Sequence, residues 1–270
     1  MSDAGFDLSL LGAPLVAGLL VVVTHVLLGR RVLERGIIFI DLTIAQVAAL
    51  GVIAIGLVEG DHAGGWPTQA AAGLAALLAA ALLTWTETRF RRLQEALIGS
   101  LYVIAASAAL LLLAHNPHGA EHMQELLAGQ ILWVGSSQLV PVAALYAALL
   151  AVWFAFARRR PHAFYFVFAM AVMASVQLVG VYLVFATLIL PALATSGMGE
   201  GRGTLVGYAI GAAGYGLGLW WSVPFDLPAG PLIVCVLAGL VLVASAVRRV
   251  LPPLARRPGE PDSQDAREAG

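Results

Sequence analysis

The chain has no lysine: all 15 of its basic residues are arginine. A phosphate-binding P-loop needs the pattern G-x-x-x-x-G-K-[ST], in which the lysine contacts the phosphates. The chain therefore contains no such loop, and if ATP drives its function, a separate subunit must hydrolyse the ATP. Charged residues are also scarce, at 11% of the 270 residues, whereas soluble domains carry about 25%.

Cysteine is almost as rare as lysine. The single Cys235 excludes a disulfide bond or a cysteine-rich metal site within one chain. A membrane-embedded metalloprotease would need a motif such as H-E-x-x-H inside an apolar run, and the sequence has none. We therefore expect a transport protein rather than an enzyme, with no covalently bound cofactor and no nucleic-acid partner.

Long apolar runs dominate the sequence, since hydrophobic residues make up 60% of it. A helix needs about 17–25 residues to cross the hydrocarbon core of a bilayer. Seven runs fit one crossing each, while the run 162–198 is too long for one and barely long enough for two. The pattern predicts an all-α, polytopic transmembrane bundle of eight or nine spans. The runs are 8–28, 37–58, 69–86, 96–114, 131–157, 162–198, 204–222 and 229–247.

The arginines predict which connections are cytoplasmic, because positively charged loops stay inside. The connections 59–68, 115–130 and 223–228 contain no arginine. We therefore expect an external N-terminus and a cytoplasmic C-terminus. The groups at 158–160 and 202 share one side only if the run between them goes out and returns. This favours nine passes with a reversal near Gly180 over a single long tilted helix.

One transmembrane permease domain is expected, over about 8–250. A short external segment, 1–7, precedes it. The tail 251–270 is rich in proline and charge, which is typical of disorder. In span eight, the pairs Gly207/Gly211 and Gly214/Gly218 have small-xxx-small spacing, which predicts close packing between helices.

Asp41 is the only one of the 16 acidic residues placed well inside an apolar run, 36–58. A charge at the centre of a bilayer costs about 2.5–3.5 kcal/mol, so such residues usually face a pathway or a partner helix. Asp41 and the nearby Gln46 are therefore the first candidates for contact with a transported species. His25, near the end of span one, is more typical of a hydrogen-bonded packing residue than of a metal ligand.

The predicted external connection 115–130 holds three histidines and a glutamate. Two imidazoles and a carboxylate suit zinc or a similar divalent ion. One interpretation is a weak capture site at the outer mouth. The other is a solvated loop whose polar residues have no specific role. The residues are His115, His118, Glu121 and His122.

Four stretches together resemble the permease subunits of metal-ion ABC importers, which take up zinc, manganese or iron. The resemblance implies a homodimer with a central path in the inner (plasma) membrane of a prokaryote. It also implies an ABC ATPase at the cytoplasmic face and a periplasmic or lipid-anchored metal-binding protein outside. The transported divalent metal ion would meet Asp41 and Gln46. The stretches are LLGRRVLERGIIFIDLTIAQVAALGV (27–52), EALIGSLYVIAAS (95–107), VQLVGVYLVFATLILPALAT (176–195) and FDLPAGPLIVCVLAGLVLV (225–243).

The sequence departs from that family at two places. Many members carry an aspartate and, four residues later, a histidine in span two. Here Gln46 occupies the histidine position and Asp41 lies five residues before it, so on a helix the two side chains point about 140° apart. The cytoplasmic segment that docks on the ATPase is reduced to 158–162, which leaves the amphipathic stretch 86–100 as the docking candidate.

Two other transport functions stay open. One is a permease for a metal chelate such as a siderophore or corrinoid, which would need a wider and less charged path. The other is a proton-coupled secondary transporter that uses Asp41 as its proton carrier and needs no partner subunit. Copurification of an ABC-type ATPase would discriminate between the importers and the secondary transporter.

Overall fold

The computed structural model of the chain describes residues 9–59, 65–113, 131–157, 160–225 and 227–250. These ranges form nine α-helices and contain no β-strand, so the predicted all-α bundle is confirmed. The predicted N-terminal segment and C-terminal tail lie outside them. The helices are α1 (Ser9–Arg35), α2 (Ile40–Glu59), α3 (Trp66–Arg89), α4 (Gln94–Leu113), α5 (Ser136–Val152), α6 (Pro161–Val179), α7 (Val181–Ala194), α8 (Glu200–Ser222) and α9 (Ala229–Val250).

Seven of these nine helices are long and apolar enough to cross a membrane. The other two are α7, which has only 14 residues, and the glycine-rich α8. Helices α1, α7, α8 and α9 pack against one another, while α2 packs on α3 and α4. α6 contacts α1, α2 and α3, so it joins the two groups.

The direction of α6 follows from two contacts with α1. The guanidinium carbon of Arg35, at the end of α1, lies 4.3 Å from the ring centroid of Phe164, near the start of α6. His25 Nε2, earlier in α1, lies 3.2 Å from Ser175 Oγ, later in α6. The two helices therefore run antiparallel.

The direction of α7 is the opposite of that of α6. Arg30 donates a hydrogen bond of 3.1 Å to Thr195 Oγ1, immediately after α7 ends. Earlier in α7, Thr187 Oγ1 lies 2.9 Å from the hydroxyl of Tyr215, whose ring packs directly on Gly18 in α1. Helix α7 therefore runs parallel to α1.

The chain reverses at Gly180, as predicted from the arginine distribution. This residue is the only one between α6 and α7, and its φ of 81° lies in the left-handed region that glycine adopts at low cost. The two helices diverge from this turn, and each packs on α1. The run 162–198 is thus a helical hairpin rather than one long tilted helix.

Contacts near the described arginines gather at one end of the bundle, which we call the arginine end. Arg30 lies against Gly203, near the start of α8. Arg248, near the end of α9, donates to the carbonyl oxygen of Ala194 at 2.6 Å. The start of α4 joins the same end, since Gln94 Nε2 lies 3.5 Å from the hydroxyl of Tyr165. These arginines therefore lie on one side of the bundle, as the predicted number of spans between them requires.

The glycines of α8 allow close helix contacts, as their spacing predicts. One pair faces α1 and the other pair faces α9, and a methyl group added to any of the four would collide with the neighbouring side chain. Small residues at such positions let two helix backbones approach each other. The contacts are Gly207 with Val26, Gly211 with Val22, Gly214 with Leu237 and Gly218 with Ile233.

Candidate functional site

The structure corrects the expected depth of Asp41. The apolar run suggested a position well inside a span, but the chain first turns at Gly36, with φ of 69°, and α2 begins only at Ile40. Asp41 therefore lies in the first turn of α2, at the arginine end of the bundle. The positive end of the helix dipole stabilises an acidic side chain there.

Asp41 is nevertheless almost completely buried, with 1% of its surface exposed. Neither carboxylate oxygen has a hydrogen-bond partner among the described residues. Burying an ionised carboxylate without a partner is costly, so such groups are normally paired, hydrogen-bonded or bound to a metal. A carboxylate in this state is chemically suited to hold a cation or a proton.

Gln46 is also buried, but it does not share a face with Asp41. Thr43 Oγ1 donates a 3.0 Å hydrogen bond to the carbonyl oxygen of Ile98, so Thr43 faces α4. At about 100° per residue, Gln46 lies about 60° from Thr43, and Asp41 about 160° from it. Because α2 is continuous from Ile40 onwards, the two side chains of one chain do not converge on a single ion.

His115, His118, Glu121 and His122, in the histidine-rich connection, all lie outside the described residues. Within the ranges that the structure does describe, no group of three or more His, Cys, Asp or Glu side chains is placed to hold a metal ion.

A second buried polar cluster joins α1, α5 and α6. His25 Nε2 contacts Ser175 Oγ at 3.2 Å, and Ser175 Oγ also contacts the hydroxyl of Tyr146. His25 Nδ1 lies 3.0 Å from both the carbonyl oxygen of Val21 and Thr24 Oγ1. Both ring nitrogens thus have partners, as the packing interpretation of His25 predicted. Sequence reasoning missed Tyr146, because no local pattern reveals a partner on another helix.

Glu95 is a further polar residue whose partner the sequence did not reveal. Its Oε1 accepts a 3.3 Å hydrogen bond from the backbone N–H of Phe39, just before α2. Its Oε2 is buried and has no partner among the described residues. The only sequence signal was an acidic residue at the start of a predicted span. Glu95 therefore connects the start of α4 to the segment that carries Asp41.

Comparison with known proteins identifies a family and solved structures with a similar fold. The model of one protein family, described as the ABC 3 transport family, matches residues 7–161 and 161–248. No curated protein matches the sequence. The solved structure of PsaBC from Streptococcus pneumoniae in complex with Fab contains a chain with the same fold. The TM-score is 0.67 and the identity 22%, over 90% of this chain and 92% of that one.

Proposed function

We propose a function on the basis that the chain belongs to the ABC 3 transport family. On our proposal it is the membrane permease of an ABC importer for a divalent transition-metal ion such as zinc, manganese or iron. A separate ATPase subunit supplies the energy, since the chain has no lysine for a P-loop. An external metal-binding protein delivers the ion, and two copies of the chain enclose the path.

The buried and unpartnered carboxylate of Asp41 is the observation that carries the choice of a cation. Carboxylate oxygens bind divalent metals, and a passing cation would supply the partner that Asp41 lacks. In a dimer, two copies would place two such carboxylates on the path, near its cytoplasmic end. The side chain would hold the ion briefly, and the permease itself would make or break no covalent bond.

Two other groups have secondary roles in this proposal. Gln46 would contribute an amide oxygen at a different point of the path, because it lies on another face of α2. An amide oxygen is a weaker zinc ligand than the imidazole found in many related permeases. The histidine-rich connection would capture metal at the outer mouth.

The decisive experiment replaces Asp41 with asparagine, which keeps the shape and removes the charge. We expect Asp41→Asn to reduce uptake of radioactive zinc and manganese by about 100-fold or more, as loss of a direct carboxylate ligand should at least match the effects known for outer-shell groups. Glu34→Gln is the matched control, because Glu34 is exposed at the same end and pairs with Arg31 at 2.8 Å. Normal uptake by a well-expressed Asp41→Asn variant would remove Asp41 from the pathway.

The orientation of the bundle is part of the proposal: the arginine end lies in the cytoplasm. Gly201 is exposed at that end with open space around it, and Trp66 is 79% exposed at the start of α3, at the opposite end. In a Cys235→Ser background, an impermeant thiol reagent added to intact cells should label Trp66→Cys and not Gly201→Cys. The reverse labelling pattern would contradict the orientation.

A proton-coupled secondary transporter is the second candidate, because an unpartnered buried carboxylate suits a proton as well as a metal. A secondary transporter also needs no segment that docks on an ATPase. The connection between α5 and α6, where the family resemblance places that segment, is short. The family match is divided at the same place, at Pro161. Metal uptake that stops when ATP is depleted at constant proton gradient supports the importer. Uptake that stops only when the gradient is collapsed supports the secondary transporter.

A further inference from the structure

Helix α2 begins at a residue whose side chain cannot cap it. Phe39 is the N-cap, because its carbonyl oxygen accepts the first hydrogen bond of the helix, at 3.1 Å from the N–H of Thr43. Residues favoured at an N-cap carry a side-chain oxygen, and phenylalanine has none. The residue three positions later often accepts the N–H of the N-cap, but here it is the apolar Leu42. The start of α2 therefore needs an acceptor from another part of the chain.

Glu95, the second residue of α4, supplies that acceptor. Its Oε1 accepts the N–H of Phe39 at 3.3 Å, although 56 positions separate the two residues along the chain. The carboxylate thus makes the contact that a glutamate at the third helical position makes in a capping box. It also brings a negative charge to the positive end of the helix dipole. Glu95 therefore caps α2 from a neighbouring helix.

Asp41 lies in the same first turn but makes no such contact. Acidic side chains are favoured there because the first N–H groups of a helix have no partner within it. Both oxygens of Asp41 nevertheless lack a hydrogen-bond partner among the described residues. The two acids at this helix start thus differ, since Glu95 makes a capping contact and Asp41 does not. Both oxygens of Asp41 stay available for a cation.

The two acids also lie on different sides of α2. Thr43, one turn after Phe39, donates to the carbonyl oxygen of Ile98 in α4 at 3.0 Å, so this side of α2 faces α4. Asp41 lies about 160° around the helix from Thr43. The helix itself therefore separates α4 from an ion at Asp41. This geometry favours an indirect effect of Glu95 on the ion over direct ligation.

The segment before α2 is otherwise bonded mainly to its own neighbours. The N–H of Gly36 donates to the carbonyl oxygen of Leu33, and that of Ile40 donates to Ile37, each at 3.2 Å. The side chains of the two residues just before Ile40 are exposed, so packing restrains them weakly. The bond from Glu95 ties this segment to a second helix. The position at which α2 begins thus depends on that bond.

We propose that Glu95 is a positioning residue for the ion site, an inference that rests on the importer function proposed above. By accepting the N–H of Phe39, it fixes the start of α2 and the place of Asp41 two residues later. Because Glu95 caps the helix, Asp41 keeps both oxygens for the ion. The Oε2 atom of Glu95 is buried without a described partner, so direct binding of a cation by this oxygen is the alternative that the test must separate.

Two conservative variants separate the reach of the side chain from its charge. Glu95→Asp keeps the charge but withdraws the carboxylate by about 1.5 Å, one carbon–carbon bond, which takes it out of hydrogen-bond range of Phe39. Glu95→Gln keeps the reach and an acceptor oxygen but carries no charge. A positioning residue needs the reach, whereas a metal ligand needs the charge. The unfolding temperature of each metal-free variant checks that it is folded.

The first measurement is a titration of the full chain in nanodiscs with manganese(II), an ion that suits carboxylate ligands, whereas imidazole suits zinc. It gives the metal concentration at which half of the maximal rise in unfolding temperature is reached. We expect Glu95→Asp to raise this concentration about 10-fold or more, as loss of a group that orients a metal ligand does. Glu95→Gln should stay near the wild-type value.

The second measurement is hydrogen–deuterium exchange of segment 36–43 without metal. Glu95→Asp should speed exchange at the start of α2, because the N–H of Phe39 loses its acceptor, and Glu95→Gln should not. Thr43→Val is the matched control. It removes the bond from α2 to Ile98 but leaves the bond between Glu95 and Phe39 in place. Its manganese titration should match that of the wild type.

The outcomes distinguish this proposal from the ion site on which it rests. If Glu95→Asp binds manganese like the wild type while Asp41→Asn does not, the positioning role is refuted and the ion site stands. If Glu95→Gln loses binding, Glu95 acts through its charge, which also refutes positioning. If manganese stabilises Asp41→Asn as strongly as the wild type, the ion site itself fails, and the role of Glu95 fails with it.

Discussion

The molecule buries polar side chains in two contrasting ways. At the junction of α1, α5 and α6, the buried side chains of His25, Ser175 and Tyr146 satisfy one another through hydrogen bonds. At the start of α2, Asp41 is equally buried, but neither of its oxygens has a described partner. Both sites would look alike in a list of buried polar residues. Only their hydrogen bonding distinguishes them.

The difference separates a structural site from a candidate binding site. A satisfied polar cluster in an apolar interior positions the helices that contribute to it, and losing one member leaves the others without partners. An unsatisfied carboxylate lowers the stability of the empty protein. The helix dipole at the start of α2 offsets only part of that cost, so folding alone gives no sufficient reason for the carboxylate to be there. A ligand that enters and leaves gives such a reason. The following predictions test whether this distinction holds.

The largest effect on folding stability should come from the satisfied cluster. His25→Leu removes a fully buried ring and deprives Ser175 of one of its partners. We expect about 2–3 kcal/mol of destabilisation, from the lost hydrogen bonds and imperfect packing together. Thermal unfolding in detergent measures this loss.

A control and a second readout make this prediction specific. Tyr208→Phe removes a more exposed hydroxyl, which donates to the carbonyl oxygen of Val23 at 3.1 Å, and it should cost about 1 kcal/mol or less. Metal uptake per folded His25→Leu molecule should stay near the wild-type value. A transport defect with unchanged stability would mean that His25 belongs to the path.

Asp41→Asn should have a smaller effect on folding stability, and of the opposite sign. A neutral amide costs less to bury than an unpartnered carboxylate, so we expect the metal-free variant to be equal to the wild type or about 1 kcal/mol more stable. Added zinc or manganese should raise the unfolding temperature of the wild type and not that of the variant. A clear loss of stability in the metal-free variant would indicate a structural role for Asp41.

The sequence predicted the helices and their directions because the signals for these features can be read along the chain without knowledge of long-range contacts. Apolar run length predicted the spans, and the arginine groups predicted the reversal at Gly180. The spacing of Gly207 and Gly211 predicted close packing between helices, and the structure shows that this contact is with α1. Each of these signals can be read within one segment or from the order of segments.

The sequence could not place the partners or the exact depth of the polar residues. Apolar runs do not show where a helix begins, so the turn at Gly36 moved Asp41 from the expected interior to the first turn of α2. The contact between His25 and Ser175 joins residues 150 positions apart. Whether a buried group is satisfied depends on such long-range contacts, so the contrast between the two sites appeared only in the structure.

Gln46 is the residue that is hardest to assign to either kind of site, structural or ion-binding, because it is buried near Asp41 but on another face of α2. Gln46→Ala should reduce metal uptake about fivefold, the equivalent of about 1 kcal/mol for one lost neutral oxygen contact. This is less than the loss expected for Asp41→Asn, since a carboxylate binds a divalent cation more strongly than an amide does. Uptake assays over a range of metal concentrations would show the effect.

Thr43→Val supplies the matched control for Gln46, because it alters the same side of α2 one turn earlier. It removes the hydrogen bond to the carbonyl oxygen of Ile98 and should lower stability by about 1 kcal/mol without changing uptake per folded molecule. If Gln46→Ala behaves in the same way, Gln46 belongs with the structural group and Asp41 alone contacts the ion. If Gln46→Ala abolishes uptake as fully as Asp41→Asn, both faces of α2 contact the ion, and the helix must rotate or unwind during transport.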